Sequence, residues 1–109
     1  MTAACTQVRL RQRPQGAPRL DDFEIVRVDV PEPGPGEVRV RTLWLSLDPY
    51  MRGRMNDGPS YARPVALGEV MTGEVIGRIE ASRADGLVDG ALVRAPSGWR
   101  THAVHPASA

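Results

Sequence analysis

The feature that most constrains the fold is a strict two-residue alternation of apolar and charged side chains. In EVRVR, residues 37–41, Val38 and Val40 alternate with Arg39 and Arg41. Successive side chains of a β-strand point to opposite faces, so such a segment buries one face and exposes the other. On an α-helix the same two valines would lie on different sides of the axis. The alternation therefore predicts a half-buried strand.

Strand patterning of this kind recurs along most of the chain. The predicted strands are Thr6–Gln12, Phe23–Val30, Glu37–Leu45, Gly68–Ser82, 91–95 and 99–104. The third becomes continuously apolar at residues 43–45, which predicts that it passes from the sheet surface into the core. The fourth contains Gly73 and Gly77, and glycine inside a strand predicts a sharp bend or a close backbone approach.

Proline and glycine separate these strands. PEPGPG at residues 31–36 excludes a helix, because proline lacks the amide donor and glycine favours turns. Residues 59–67, with Tyr61, have the composition of a loop. No segment keeps an apolar 3.6-residue period over three turns, so helix is expected only for one or two turns near Asp48–Met55. We expect a mainly β fold, a small and partly open barrel, as a single domain over residues 1–109.

The composition is that of an ordinary folded domain. Hydrophobic residues make up 41% of the chain and charged residues 25%, close to the averages for globular proteins. Neither a membrane span nor a signal peptide is expected, because no apolar run reaches the required length. Cys5 is the only cysteine, so no internal disulfide can form, and a cytoplasmic location is expected.

The charge balance argues against nucleic acid as a partner. All 14 basic residues are arginine, and 13 acidic residues leave a net charge of +1. That charge is too small to attract a polyanion. A barrel that binds single-stranded nucleic acid would need a basic groove lined with aromatic side chains. This chain has five aromatic residues, and its arginines alternate with acidic residues.

The familiar catalytic and nucleotide-binding motifs are missing. There is no Gly-x-Gly-x-x-Gly, and PGPGEV at residues 33–38 leads into a strand, so it offers a phosphate no helix N-terminus. His102 and His105 have no third metal ligand close in sequence and are expected to be exposed or at a sheet edge. Cys5 is expected to lie in a frayed terminus and to be inert. Ser46 has no base nearby in the sequence.

The stretch LSLDPYMRGRM, residues 45–55, departs from the strand pattern and contains candidate binding residues. Tyr50 supplies a flat ring with a polar tip, and Arg52 supplies a planar fork suited to a carboxylate or phosphate. A purely structural role is an open alternative. In that case Asp48 would cap the turn, Tyr50 would pack, and Arg52 would pair with an acid.

Three motifs, in this order, carry a resemblance to a known family. They are LSLDPYMRGRM, LGEVMTGEVIGRIEAS and DGALVRAPSGWRTHAV. Together they resemble the amino-terminal domain of the zinc-independent medium-chain dehydrogenase/reductases, and within that family the prostaglandin reductases and the NADPH-dependent alkenal (double-bond) reductases. The resemblance extends from about Gln7 to Val104. It implies a GroES-like fold, a small irregular β-barrel that forms the substrate side of a two-domain oxidoreductase.

The resemblance also implies a reaction and roles for four residues. In this family hydride passes from NADPH to the β-carbon of an α,β-unsaturated aldehyde or ketone, and the resulting enolate is stabilised and protonated. By resemblance, Tyr50 packs against substrate or cofactor and offers its hydroxyl, while Arg52 holds a distal carboxylate of acidic lipid substrates. Met51 and Met71 line the pocket. No complete catalytic set and no cofactor-binding residue is assigned to this chain.

Catalytic zinc is not expected. Zinc-containing relatives have a Cys shortly before the Asp of this region and a Gly-His-Glu before the bent strand. We align these positions with Leu45 and with Gly68-Glu69-Val70. Leucine and valine cannot ligate zinc.

The chain departs from the family at its carboxyl end, because full-length members continue past the position of Ala109 into a Rossmann domain. We therefore expect half an active site that binds no NADPH by itself and is inactive in isolation. The Rossmann domain would be supplied in the same polypeptide or by a separate partner. Uncovered apolar surface would then favour a homodimer. The alternative is a non-catalytic GroES-like interaction or assembly module.

Overall fold

The described residues form six short strands and two helical turns. The computed structural model describes residues 4–56 and 64–107. The strands are β1 (Ala4–Leu10), β2 (Phe23–Asp29), β3 (Glu37–Leu45), β4 (Val75–Ser82), β5 (Leu92–Ala95) and β6 (His102–Pro106). The helical turns are a 3₁₀ turn at Leu20–Asp22 and α1 at Tyr50–Gly53. The mainly β prediction is confirmed; the predicted loop around Tyr61 lies partly outside the described residues.

The strands form two antiparallel sheets that do not close into a barrel. β1 pairs with β2, and the larger sheet has the order β5-β4-β3-β6. The two sheets are joined through β1, where Val8 donates its amide to the Trp99 carbonyl at 2.8 Å and Thr101 donates to the Thr6 carbonyl at 3.0 Å. The domain is therefore partly open, as the sequence predicts. No helix in the described segments has the length and apolar character needed to cross a membrane.

Two glycines lie within the predicted strand at residues 68–82, which is shorter in the structure than predicted. Regular pairing begins only at Val75, and a Cβ on Gly73 would lie 2.9 Å from the Leu45 side chain. A Cβ on Gly77 would lie 2.5 Å from the Arg41 carbonyl oxygen on the neighbouring strand. Both glycines permit close approach, as the sequence predicts for glycine inside a strand.

The core consists of two apolar clusters. One lies between β1, α1 and the segment before β4, with three aromatic side chains packed against it; its buried members are Leu10, Met51, Met55, Val65 and Met71. The other lies on the inner face of the larger sheet and contains Val38, Val40 and Ile79. The rings of Phe23 and Trp99 stack at a centroid distance of 5.6 Å on the first cluster.

Two predictions about burial are wrong. Cys5 is fully buried in β1, where its thiol donates to the His102 carbonyl at 3.4 Å, and is not in a frayed terminus. The apolar run at the end of β3 does not enter the core, since Trp44 is 73% exposed and Leu43 43% exposed. A register shift between Thr42 and Trp44 turns the Trp44 side chain to the outer face of the sheet.

Candidate functional site

The candidate site is an apolar hollow between the end of β3 and the segment before β6. It has a volume of about 220 Å³ and is lined by Thr6, Val8, Thr42, Leu45, Gly98, Trp99, Arg100 and Thr101. Its walls are mostly hydrocarbon. Leu45 and Trp99 both lie within contact range of the space beside Gly73, which has no side chain to fill it. This arrangement can accept an apolar ligand from the open side of the domain.

Tyr50 is connected to this hollow through the first core cluster, against which Trp99 of the hollow also packs. The ring is partly buried and packs on the first core cluster, as Trp99 does. Pro49 precedes the helix with φ −58°, so the backbone is already close to helical values where α1 begins. Ser46 donates to the Asp48 carboxylate at 2.8 Å, and Met51 donates its amide to the Asp48 carbonyl at 3.1 Å. Asp48 thus orients the turn through its backbone carbonyl, not by side-chain capping of α1.

Arg52 faces away from the hollow toward a neighbouring loop. Its Nε donates to the Gly16 carbonyl at 3.1 Å and its Nη2 to the Pro14 carbonyl at 3.0 Å. Its Nη1 donates to the Asn56 amide oxygen at 2.7 Å. The acid expected as a structural partner is therefore replaced by two carbonyls and an amide. Because a guanidinium has five N–H groups, two of them remain for a ligand.

The two methionines assigned by resemblance lie beneath Tyr50 in the first core cluster. Met51 is 3% exposed and Met71 is fully buried. The structure therefore brings Tyr50, Met51 and Met71 together and places Arg52 on another side of the helix. Trp99 joins the same cluster and was not singled out from the sequence, although its position as a lone aromatic after a Pro-Ser-Gly turn is a usable signal. Its indole N–H is buried, and among the described side chains it finds no acceptor.

His102 lies on the edge strand β6, one of the two placements predicted, but its side chain is buried beside an ion pair and not exposed. Its Nε2 lies 3.5 Å from the Glu80 carboxylate, which also accepts a 2.7 Å bond from Arg39. Its Nδ1 is hydrogen-bonded to Thr101 at 2.8 Å. Burial lowers the pKa of His102 against the opposing effect of Glu80, and Arg41 and Arg39 lower it further. A neutral, structural histidine is favoured.

His105 is also held in a structural contact. Its Nε2 is hydrogen-bonded to the buried Ser97 hydroxyl at 2.8 Å. Burial lowers the pKa of His105, and the Arg100 guanidinium acts in the same direction. The Ser97 carbonyl accepts a 2.6 Å bond from Arg100, which fixes the turn at the rim of the hollow.

Leu45 and Val70, at positions aligned with the zinc-binding motifs of zinc-containing relatives, carry hydrocarbon side chains that do not fit a metal, and Glu69 leaves a single carboxylate there. Leu45 lies in the wall of the hollow, and Val70 forms an isolated bridge with Arg9. Within residues 4–56 and 64–107, no three His, Cys, Asp or Glu side chains come together as a metal-binding group. Hydrocarbon side chains supply no lone pair to a metal ion.

Comparisons with known proteins assign the family. Residues 6–109 match the family described as the N-terminal domain of oxidoreductase. A putative NADP-dependent oxidoreductase of Bacillus subtilis, YfmJ, is 45% identical over 100 residues, which are 92% of this chain and 29% of that protein. The NADPH-dependent curcumin reductase of Escherichia coli is 46% identical over 93 residues, 85% of this chain and 27% of that protein.

A relative of lower identity and two solved structures support the same family. Prostaglandin reductase 1 of Bos taurus is 37% identical over 82% of this chain and 25% of that protein. The crystal structure of CurA from Vibrio vulnificus superposes with a TM-score of 0.90 at 44% identity, covering 93% of this chain and 30% of that chain. CurA in complex with NADPH gives a TM-score of 0.88 at the same identity, over 92% of this chain and 30% of that one.

These matches confirm the resemblance stated from the motifs. The chain spans less than a third of the length of the curated relatives it matches. It belongs to the family of oxidoreductase N-terminal domains that the curcumin and prostaglandin reductases share.

Proposed function

We propose that this chain is the substrate-side domain of an NADPH-dependent oxidoreductase that reduces α,β-unsaturated carbonyl compounds. The observation that carries the proposal is the 44% identity and TM-score of 0.88 to CurA in complex with NADPH, over 92% of this chain. Relatives named curcumin reductase and prostaglandin reductase 1 support the same reaction class.

The hollow between Leu45 and Trp99 suits the apolar part of such a substrate. Its hydrocarbon walls remove water from the ligand, and each square ångström of apolar surface buried contributes about 25 cal/mol. Excluding water also strengthens any hydrogen bond to the oxygen on which negative charge develops. The proposal therefore places the carbon skeleton against Leu45 and Trp99, with the carbonyl end toward α1.

Tyr50 is proposed as the residue of this chain that hydrogen-bonds the substrate or cofactor. Its ring rests on the cluster that contains Met51 and Met71, which limits the positions its hydroxyl can take. In this proposal the two methionines act mainly as a soft support beneath the ring, because both are buried. Because Arg52 faces away from the hollow, it would hold a distal carboxylate only of a substrate long enough to extend past α1, through the two N–H groups not used by Pro14, Gly16 and Asn56.

Neither the glycine turn before β3 nor helix α1 fits the pyrophosphate of a dinucleotide. The glycine turn before β3 has its amides occupied, since Gly34 donates to the Glu37 carboxylate at 2.7 Å and Gly36 donates to the Arg83 carbonyl at 2.9 Å. Helix α1 has four residues, too few to present the N-terminal dipole of a phosphate-binding helix. We therefore assign the binding of NADPH, which supplies the hydride, to a Rossmann domain in the same polypeptide or in a partner.

A chimera tests the proposal. The matching 93 residues of the Escherichia coli curcumin reductase are replaced by their counterparts from this chain, and NADPH oxidation with curcumin is followed. The chimera is expected to retain activity, and Tyr50→Phe in the chimera is expected to lower kcat by about tenfold to a hundredfold. The matched control is Val88→Ala at a surface position that is 67% exposed.

Two outcomes contradict the proposal. A folded chimera that binds NADPH and leaves curcumin unreduced would remove the assigned activity. Steady NADPH-dependent turnover of an alkenal by the 109-residue chain alone would contradict the proposal that a separate Rossmann domain is needed to bind NADPH.

A further inference from the structure

Gly73 lies behind two walls of the apolar hollow, and three side chains pack where its Cβ would be. A Cβ at this position would lie 2.9 Å from Leu45 Cδ1, 3.2 Å from Met51 Cε and 3.4 Å from Trp99 Cδ1. Leu45 and Trp99 are also walls of the hollow. Because residue 73 has no side chain, these two walls lie back against the backbone and leave the hollow wider.

The backbone does not by itself require a glycine at position 73. Its φ angle is outside the left-handed region, unlike that of Gly98 at +75°. A Cβ on Gly77 or on Gly98 would meet a backbone carbonyl oxygen, whereas the three atoms nearest to a Cβ on Gly73 all belong to side chains. Gly73 therefore leaves room for side chains that border the hollow, and not for a neighbouring strand.

The wall of the hollow offers a ligand mainly hydrocarbon contacts. Thr42 Oγ1 already donates to the Arg100 carbonyl at 2.7 Å. Thr101 Oγ1 accepts the Thr6 amide at 3.0 Å and is hydrogen-bonded to His102 Nδ1 at 2.8 Å. An apolar cavity of about 150 Å³ binds benzene, and this hollow has a volume of about 220 Å³. The width of the hollow, more than hydrogen bonding, therefore decides which apolar group fits.

A methyl group on residue 73 would act on the hollow through Leu45. The Cδ1 atom of Leu45, at 2.9 Å, would have to move, because carbon atoms in contact lie about 3.5–4.0 Å apart. Met51 is 3% exposed and fills the core side, where close packing leaves little space. Trp99 is stacked on Phe23 at a centroid distance of 5.6 Å. The Leu45 side chain would therefore move toward open space, which the hollow provides.

We propose that Gly73 is a positioning residue that sets the width of the hollow, so that the domain accepts enones with a ring or a branched group at the apolar end. This inference rests on the proposed function, since it concerns the substrate of the same site. Gly73 is not itself a wall of the hollow and acts through Leu45, which is. One carbon atom more or less in a hydrophobic pocket changes discrimination between substrates by about tenfold to two-hundredfold.

The test uses the chimera with the Escherichia coli curcumin reductase and two enones. Benzylideneacetone carries a ring on the β-carbon, and ethylideneacetone carries a methyl group there. Gly73→Ala is expected to lower kcat/KM for benzylideneacetone by about tenfold or more, chiefly through KM, and to change that for ethylideneacetone by less than about twofold. Gly53→Ala, with nothing within 4 Å of its Cβ position, is the matched control and is expected to leave the ratio unchanged.

A second substitution separates this role from a structural one. Valine lacks the Cδ1 atom that would meet the new Cβ. Leu45→Val in the Gly73→Ala background is therefore expected to restore kcat/KM for benzylideneacetone to within about threefold of the unsubstituted chimera. General destabilisation would instead lower the rates with both enones and would not be restored. Urea unfolding establishes that each variant is folded.

Ligand binding to the 109-residue chain tests the inference without turnover. Benzylideneacetone is expected to shift the NMR signals of the Leu45 methyl groups and of the Trp99 ring, which border the hollow. At equal ligand concentration Gly73→Ala is expected to reduce these shifts by about threefold or more, and Gly53→Ala is expected to leave them unchanged.

The outcomes distinguish this inference from the proposed function. A folded chimera that binds NADPH and reduces neither enone would remove the proposed function, and the binding measurement would then decide about Gly73. An active chimera whose ratio is unchanged by Gly73→Ala would overturn the inference alone. Leu45 would then move toward the cleft that it borders together with Trp44 and Ile76. NMR shifts that are absent, or equal in the Gly73→Ala variant, would also overturn it.

Discussion

At the scale of single residues, Gly77 determines how closely β3 and β4 can pair. A Cβ at this position would lie 2.5 Å both from the Arg41 carbonyl oxygen and from a methyl group of Val40. Because the first contact is with backbone, a side-chain rotation cannot relieve it. The close pairing of β3 and β4 at this point, next to the register shift between Thr42 and Trp44, therefore requires a residue without a side chain.

The first prediction concerns this contact. Gly77→Ala is expected to lower the free energy of unfolding by about 1–3 kcal/mol, because the strand must move to admit one methyl group. Gly53→Ala is the matched control, since nothing lies within 4 Å of its Cβ position in α1; it is expected to be neutral or stabilising. Urea unfolding measures both, and equal stability of the two variants would contradict the close contact.

At the scale of elements, α1 is too short to be stable by itself. A helix of four residues forms only with tertiary support. Fixing the backbone of the first turn costs more conformational entropy than its hydrogen bond recovers. The support comes from the loop after β1: Arg13 donates to the carbonyls of Met55 and Val65 at 3.0 and 2.5 Å. Arg52 donates in the opposite direction, from the helix to that loop. Two arginines thus connect the candidate site to the smaller sheet.

The second prediction concerns this connection. Arg13→Ala is expected to lower the free energy of unfolding by about 1–3 kcal/mol, because two carbonyls in a largely buried region lose their donor. Arg11→Ala removes an arginine two residues earlier whose side chain is exposed, and it is expected to change stability by less than about 0.5 kcal/mol. Urea denaturation compares the two variants, with the same slope of unfolding free energy against urea concentration used for both. If Arg11→Ala lowered the free energy of unfolding more than Arg13→Ala does, the proposed support of α1 by Arg13 would be contradicted.

At the scale of the whole molecule, exposed apolar surface is extensive and is distributed over both sheets. At the smaller sheet, Leu20 in the 3₁₀ turn before β2 is 93% exposed and Ile25 on β2 is 73% exposed. On the larger sheet Trp44 and Leu92 are more than half exposed, and in the loops the same holds for Leu47, Val88 and Leu67. Such surface favours association. We keep the homodimer as a prediction, with the smaller sheet as its proposed contact.

The third prediction is therefore concentration-dependent self-association. Light scattering of the 109-residue chain is expected to show a mass above that of the monomer, and the double substitution Leu20→Ser with Ile25→Ser is expected to lower it. Val88→Ser, at a loop position that is 67% exposed, serves as the control and is expected to leave it unchanged. A monodisperse monomer at high concentration would contradict the prediction.

Much of the fold could be predicted because strand formation depends on local pattern. The alternation at residues 37–41 predicts a half-buried strand and the glycines at 73 and 77 predict a close approach, and both predictions are confirmed. The family was recognisable for a related reason, since its motifs are short and ordered along the chain. The roles of Tyr50, Arg52, Met51 and Met71 toward a substrate stay predictions.

The sequence by itself determined which segments are strands, which glycines allow two strands to approach, and which family the chain belongs to. Tertiary structure alone decided that Cys5 and His102 are buried, that Trp44 faces outward, and that Arg52 bonds to carbonyls of a loop 36 residues away. The physical reason is the range of the interactions. Side-chain period is a property of adjacent residues, whereas burial and hydrogen-bond partners depend on segments that meet only when both sheets have formed.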